Sequence, residues 1–283
     1  MENDKSLNYQ VQQAGVSHEL VGDYDMYFGL GHHIKLIDSP AVFKVSPAGL
    51  AFGSLLVRLI GQDCCTSKFL DLGTGSGVHA LLLRSMGMRS ICGTDISKDA
   101  VSTASDNEYR NFGTRDISFL AGDLFQGVPD LERYDVILFN PPGWRTPSSS
   151  FLKIIEEANA DQGLPFNAMF YGEETLARFF QQLPNYLSDN GKAIIGLNSL
   201  IGIRKMIQKF LDLHQSEYEI DCRLLERHSF PLMFYNENWQ RVKSVLIDEM
   251  MRWVEQGHAY CYRGRNGQIM WSYEIVEFTM RKK

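Results

Sequence analysis

Hydrophobic and polar positions along this chain fall into short blocks whose period changes repeatedly. Residues 47–60, P-A-G-L-A-F-G-S-L-L-V-R-L-I, read as a helix with apolar positions on more than one face and a proline near its first turn. Short apolar runs then alternate with helical stretches. Strands are predicted at 68–72, 90–94, 117–120, 134–139 and 192–197, and helices at 78–85, 98–112, 173–187 and 200–213. The run 134–139 is apolar enough to be a central strand, buried on both faces. Strand–helix–strand alternation at this spacing predicts a parallel sheet with right-handed crossovers. The last third changes character. A strand is expected at 218–228, one amphipathic helix at 236–255, and two strands at 260–263 and 270–280 joined by the turn sequence G-R-N-G. In the helix, Trp239, Val242, Val245, Leu246, Met250 and Trp253 repeat at helical spacing, which suits a core or a homodimer contact. Residues 1–45 are mixed and polar. Gly22, Gly29 and Gly31 break any long helix there, so short elements and loops forming an extension or lid are expected.

Composition narrows this picture. Apolar residues make up 44% of the 283, enough for a core. Lys and Arg number 28 against 34 Asp and Glu, a formal charge of −6, which argues against nucleic acid as a partner. The five cysteines contain no C-x-x-C pair, so neither a zinc site nor a disulfide framework is expected, and no metal is assigned. His32 and His33 stand beside Tyr24, Tyr27 and Phe28, but no carboxylate or third histidine at helical spacing completes a metal site. The N-terminus lacks a basic start followed by an apolar run, and no 18 consecutive residues are apolar. A cytoplasmic protein with no membrane span is expected.

The chemistry is concentrated at strand ends. Residues 69–77, F-L-D-L-G-T-G-S-G, follow a strand and open a helix. Gly73, Gly75 and Gly77 are spaced G-x-G-x-G, with Val78 where a dinucleotide loop has its third glycine. The segment resembles the S-adenosylmethionine loop of Rossmann-like methyltransferases. That resemblance implies an α/β, Rossmann-like, doubly wound fold with seven mostly parallel strands, an antiparallel last strand, and the N-terminal extension. Residues 46–283 then form the cofactor-binding domain, with a helical insertion around 233–258. Glycines let the backbone approach the cofactor because no Cβ intervenes. The resemblance implies that Asp71 receives the cofactor ammonium, directly or through water. Asp95 ends the second strand 22 residues after Gly73, where a doubly wound fold presents a carboxylate to ribose hydroxyls. Asp123 ends the third strand and would accept from the adenine amino group. Thr74, Ile96 and Leu124 complete the expected cofactor set.

The fourth strand ends in F-N-P-P-G, residues 139–143. This is similar to the N-P-P-aromatic element of amino-directed methyltransferases, which include release-factor glutamine, rRNA guanine-amino and DNA adenine-amino enzymes. By that resemblance the Asn140 side-chain oxygen and the Pro141 carbonyl accept hydrogen bonds from the target amino group, and Asn140 also belongs to the cofactor set. Successive prolines fix φ and remove donors, leaving carbonyls to face the substrate. Tyr171, opening Y-G-E-E-T-L at 171–176, has a counterpart in the family, and the likeness covers roughly residues 45–200. The fourth motif position departs from it: Gly143 offers no ring to stack on a planar acceptor, and Trp144 follows. Trp144 and Tyr171 are the aromatics expected beside Asn140. The departure favours N-methylation of a small-molecule or protein amine over a base amino group. An alternative is cyclisation of S-adenosylmethionine itself: its own amine attacks the γ-carbon, giving azetidine-2-carboxylate and methylthioadenosine. A third reading is a non-catalytic cofactor-binding subunit.

Overall fold

The structure is a computed structural model and describes residues 22–129, 131–157, 169–233 and 237–283. Its sheet follows from the predicted strand–helix alternation. Strands β3 (Lys68–Leu72), β4 (Ser90–Asp95), β5 (Ser118–Ala121), β6 (Tyr134–Phe139) and β7 (Leu187–Asn198) pair in parallel. The order across the sheet is β5-β4-β3-β6-β7-β10-β8, with β8 (Tyr218–Pro231) on the edge. The last strand, β10 (Ile269–Lys282), runs antiparallel to both β7 and β8. Short β9 (Cys261–Arg263) pairs with β10, so among the described residues the sheet counts eight strands where seven were expected. The extra one is the hairpin partner that the G-R-N-G turn brings back onto β10.

Helices cover both faces because side chains alternate across each strand. On one face, α1 (Pro47–Leu59) and α2 (Val78–Ser85) bury Phe52, Leu56 and Leu82 against Phe69, Leu138, Ile194 and Ile275. On the other, α5 (Gly172–Tyr186) and α6 (Ile203–His214) bury Phe179, Phe180 and Phe210 against Leu70, Ile137, Ile195 and Phe278. Local signals set the ends of several helices. The Ser46 hydroxyl accepts from the Gly49 amide (3.2 Å) ahead of Pro47, and the Ser97 hydroxyl accepts from Ala100 (3.2 Å) to start α3 (Lys98–Phe112).

Several segments differ from the sequence expectation: a helix at 149–157 was not anticipated, and the strand expected at 192–197 begins at Leu187. Residues 23–37 form a hairpin, β1 (Asp23–Gly29) with β2 (His32–Ile37), rather than loops. Its Phe28, Ile34 and Leu36 enter the core under α1 and α2. The free edge of β2 is satisfied by α3: Asn107 accepts from the Ile37 amide, and Asn111 both accepts from and donates to Lys35. Residues 1–21 of the expected extension lie outside the described residues. The expected helix 236–255 is broken at Val242 into α7 (Glu237–Arg241) and α8 (Lys243–Glu255). Trp239, Val242, Leu246, Met250 and Trp253 pack with Trp144, Phe151 of α4 (Ser149–Glu157) and Phe170 in a third core. That apolar stripe therefore serves the interior of this chain. Among the described residues no helix is long and apolar enough to cross a membrane.

Candidate active site

Register alone brings the strand-end residues together. Leu72 pairs with Thr94 on one side and Phe139 on the other, so Gly73, Asp95 and Asn140 leave the sheet side by side. The loop glycines have φ of +63°, +56° and +81° at Gly73, Gly75 and Gly77, a region L side chains rarely enter. Their surroundings differ. A Cβ on Gly73 would meet nothing nearer than 3.8 Å and one on Gly75 nothing nearer than 4.0 Å, whereas on Gly77 it would meet the Ala104 Cβ at 2.9 Å. Two glycines thus leave an open backbone face for a ligand, and the third lets α3 pack close.

The carboxylates mostly hold this loop. Asp95 accepts from the Gly75 amide (2.9 Å) with one oxygen and from the Ser97 amide (2.9 Å) with the other. Asp71 lies beneath the loop, 2% exposed, and accepts from the Thr74 hydroxyl at 2.7 Å. Burial pushes its carboxyl above the ordinary range, opposed by nearby His79 and the Thr74 hydrogen bond. Asp123 stands two residues beyond β5 and pairs with Arg178 of α5. Beside it, Leu124 is buried in a left-handed conformation (φ +54°), its carbonyl accepting from the Thr94 hydroxyl at 3.0 Å. Strain of about 1–3 kcal/mol at a non-glycine residue marks such places as functional candidates. Ile96 leaves 71% of its surface exposed next to Asp95. Open glycine faces, a carboxylate and an uncovered aliphatic side chain along one strand edge fit an adenosyl cofactor with a charged amino-acid tail.

The second half of the site begins at Asn140, expected to face the acceptor. Phe139 pairs with Ile195, placing Asn140 next to Gly196, and antiparallel β10 sets Ile275 opposite Gly196 and Tyr273 opposite Asn198. Period-two alternation puts Asn140, Gly196, Asn198 and Tyr273 all on the α1 face. A pocket of about 130 Å³ opens there, lined by Asn140, Pro141, Gly143, Trp144, Asn198 and Tyr273, with Phe43, Met169 and Trp271 as apolar walls. The Tyr273 hydroxyl donates to Asn140 Oδ1 at 2.7 Å. It crosses β7 to do so, and a Cβ on Gly196 would overlap that hydroxyl. Burial pushes the Tyr273 phenol far above its ordinary range, so it remains a neutral donor.

Gly143 is explained by the same face. A Cβ there would lie 2.5 Å from Asn198 Nδ2, so Asn198 occupies the space of a fourth motif side chain. Trp144 lines the pocket, with its ring buried edge-on against Phe170 (5.1 Å) and Trp239 (5.3 Å). Its backbone accepts from Gly172 (2.8 Å) and donates to Met169 (2.7 Å), tying the motif to the start of α5. Tyr171 takes a left-handed turn (φ +65°) at that start and is not among the pocket-lining residues. The residues sequence reasoning missed are Asn198, Tyr273 and Gly196. One signal was available: a glycine inside the apolar strand A-I-I-G-L-N marks a close approach.

Comparisons with known proteins point the same way. A family model described as a methyltransferase domain matches residues 66–250. A Methanocaldococcus jannaschii protein named as a protein N5-glutamine methyltransferase is 34% identical over 191 residues, covering 68% of this chain and 89% of that protein. The release factor glutamine methyltransferase of Lactococcus lactis is 28% identical over 169 residues, covering 54% of this chain and 58% of that protein. Among solved structures, Pyrococcus horikoshii TYW2 in complex with MeSAdo aligns with a TM-score of 0.51 at 12% identity, covering 87% of this chain and 68% of that one. Trm5b of Pyrococcus abyssi aligns at 0.52 and 11% identity, covering 93% and 57%. These two share the fold. The first relative is named for methyl transfer at N5 of glutamine and the second for a glutamine methyltransferase, and the cyclisation alternative finds no support among them.

Proposed function

The chain belongs to the family of S-adenosylmethionine-dependent methyltransferases, and from that premise we propose that it methylates a nitrogen of a side-chain-sized group seated beside Asn140. When bound, S-adenosylmethionine supplies an electrophilic methyl group on a sulfonium. Gly73 and Gly75 give it open backbone, and Asp95 keeps lone pairs beyond those taken by Gly75 and Ser97 for its ribose. Asp123, Ile96 and Leu124 flank the adenine side. Asn140 orients the acceptor. Its Oδ1 carries two lone pairs, one held by Tyr273, and the second accepts from the acceptor N–H. Most of the acceleration then comes from placing that nitrogen in line with the methyl group.

The observation that carries this reading is the neutral lining of the pocket around Asn140. Among the described residues, none of those lining it is a carboxylate or a histidine. An ammonium entering it would be desolvated without a counter-charge. Within the amino-directed class, an uncharged carboxamide suits the lining better, and it also agrees with the glutamine named for the two relatives. A protein side chain is the acceptor this favours.

The test is transfer of label from methyl-labelled S-adenosylmethionine to a short glutamine-containing peptide, located by fragment-ion mass spectrometry. Label on the side-chain nitrogen is expected, with Asn140→Ala lowering turnover about 100-fold or more while cofactor affinity stays within about twofold. Equal turnover by Asn140→Ala would remove the basis of the proposal.

A further inference from the structure

Asn198 is 6% exposed, and its two ends face different things. Its Oδ1 accepts from the Leu200 amide at 2.9 Å, at the start of the turn Ser199–Ile201. An amide N–H only donates, so this bond fixes the flip of the carboxamide and leaves Nδ2 toward Gly143 and the pocket. Among the described residues, no hydrogen bond reaches Nδ2. The residue is largely buried but this NH₂ group still opens on the pocket, so a group that enters there can accept from it.

Across the same pocket stands Asn140, whose Oδ1 is an acceptor locked by Tyr273. The two asparagines therefore present opposite polarity toward one small space: an acceptor at Asn140 and a donor at Asn198. Gly143 has no side chain, so nothing of the motif's own fourth position stands between the Nδ2 group and the pocket. We infer that Asn198 is a specificity-determining residue, donating from Nδ2 to an oxygen bonded to the same carbon as the methylated nitrogen. The acceptor is then gripped by the edge of its planar N–C=O unit: N–H toward Asn140, oxygen toward Asn198. An amine, lacking that oxygen, leaves the Asn198 donor unpaired. Sites built to hydrogen-bond a group reject analogues without it more strongly than apolar pockets reject a missing methylene. This rests on the reading of the pocket as the acceptor site.

Two substitutions test it while keeping an oxygen for the Leu200 amide. Asn198→Ser remains a good cap and withdraws the donor from the Nδ2 position, its hydroxyl lying on a shorter side chain, and Asn198→Asp replaces the donor with an acceptor of the same shape. The probes are propionamide and propylamine, titrated calorimetrically into the full chain saturated with S-adenosylhomocysteine, with thermal unfolding recorded for each variant. The wild type is expected to prefer propionamide. Asn198→Ser should weaken propionamide binding about tenfold and leave propylamine little changed. Asn198→Asp should invert the preference, because a carboxylate repels the carbonyl oxygen and attracts an ammonium. Loss of pocket shape would weaken both probes and would not invert their ratio. A propionamide affinity that neither variant lowers, or a wild-type preference for propylamine, overturns the inference. Turnover separates the two readings: Asn140-dependent methylation that ignores residue 198 sinks this inference alone, whereas no methylation of either probe or of a glutamine peptide sinks the proposed function.

Discussion

The cofactor side of the site draws its framework from two consecutive strand–helix units, with Asp71, Gly73, Gly75 and Gly77 in one turn and Asp95 at the end of the next strand. The proposed acceptor side joins Asn140 to Tyr273, residues 133 positions apart, across a strand that contributes Gly196 and Asn198. The first is held mainly by backbone amides and local side chains, such as Asp95 on Gly75 and Thr74 on Asp71. The second is held by side chains meeting on one face of three neighbouring strands. A local turn can be conserved in form by a few residues near one another in the chain. A pocket made by non-adjacent strands changes whenever any of those strands changes, so within one fold the acceptor is the freer variable.

The sharpest test of this division is a change confined to the cofactor side. Asp95→Ala should weaken S-adenosylhomocysteine binding about 10-fold to 100-fold, since hydrogen bonds to charged groups contribute about 1.5–3 kcal/mol each and the variant also frees the Gly75 amide. Calorimetry checks it, and the ratio of propionamide to propylamine affinity should stay unchanged. If that ratio moves, the two sides are not independent. A smaller effect is expected from Tyr273→Phe on the acceptor side. Losing one neutral hydrogen bond to Asn140 should lower turnover about fivefold to tenfold at saturating acceptor, with cofactor affinity unaltered. Turnover equal to wild type would show that the Asn140 amide needs no such hold.

The smallest effect is a pH dependence set by Asp71. Its carboxyl is raised in the folded state, chiefly by burial. Between the ordinary carboxylate range and that raised value, the folded state binds more protons than the unfolded one. Stability contributed by this group therefore falls as pH rises through the window and is level above it. Asp71→Asn should flatten that part of a thermal-unfolding profile against pH. A profile that keeps its slope would assign the dependence to another group.

Much of the fold was legible because its signals are short. The bounds expected for the strands at 68–72 and 134–139 and the helices at 78–85 and 98–112 coincide with those observed. Each is closed by a turn glycine, a cap or an abrupt change of period. The hairpin at 23–37 was not legible: its two strands alternate weakly, and their burial depends on α1 and α2 and their edge on Asn107 and Asn111 of a helix some 70 residues on. Likewise, the pattern 236–255 continues at helical spacing through Val242, where the backbone breaks it, with residues on both sides packed into the same core.

Gly143 marks the same limit within the site. The sequence by itself determined that a glycine loop, two strand-end aspartates and Asn140 would line one edge of a parallel sheet, because strand, turn and helix follow from neighbours along the chain. It also placed Gly196 and Tyr273 in strands. Which strand lies beside which was decided only by the tertiary structure, since a period of two assigns a residue to a face and names no partner across it. Inserting β10 between β7 and β8 put the Tyr273 hydroxyl on Asn140 and Asn198 in the space beside Gly143. The missing aromatic is thus a filled position, occupied by a polar side chain from another strand.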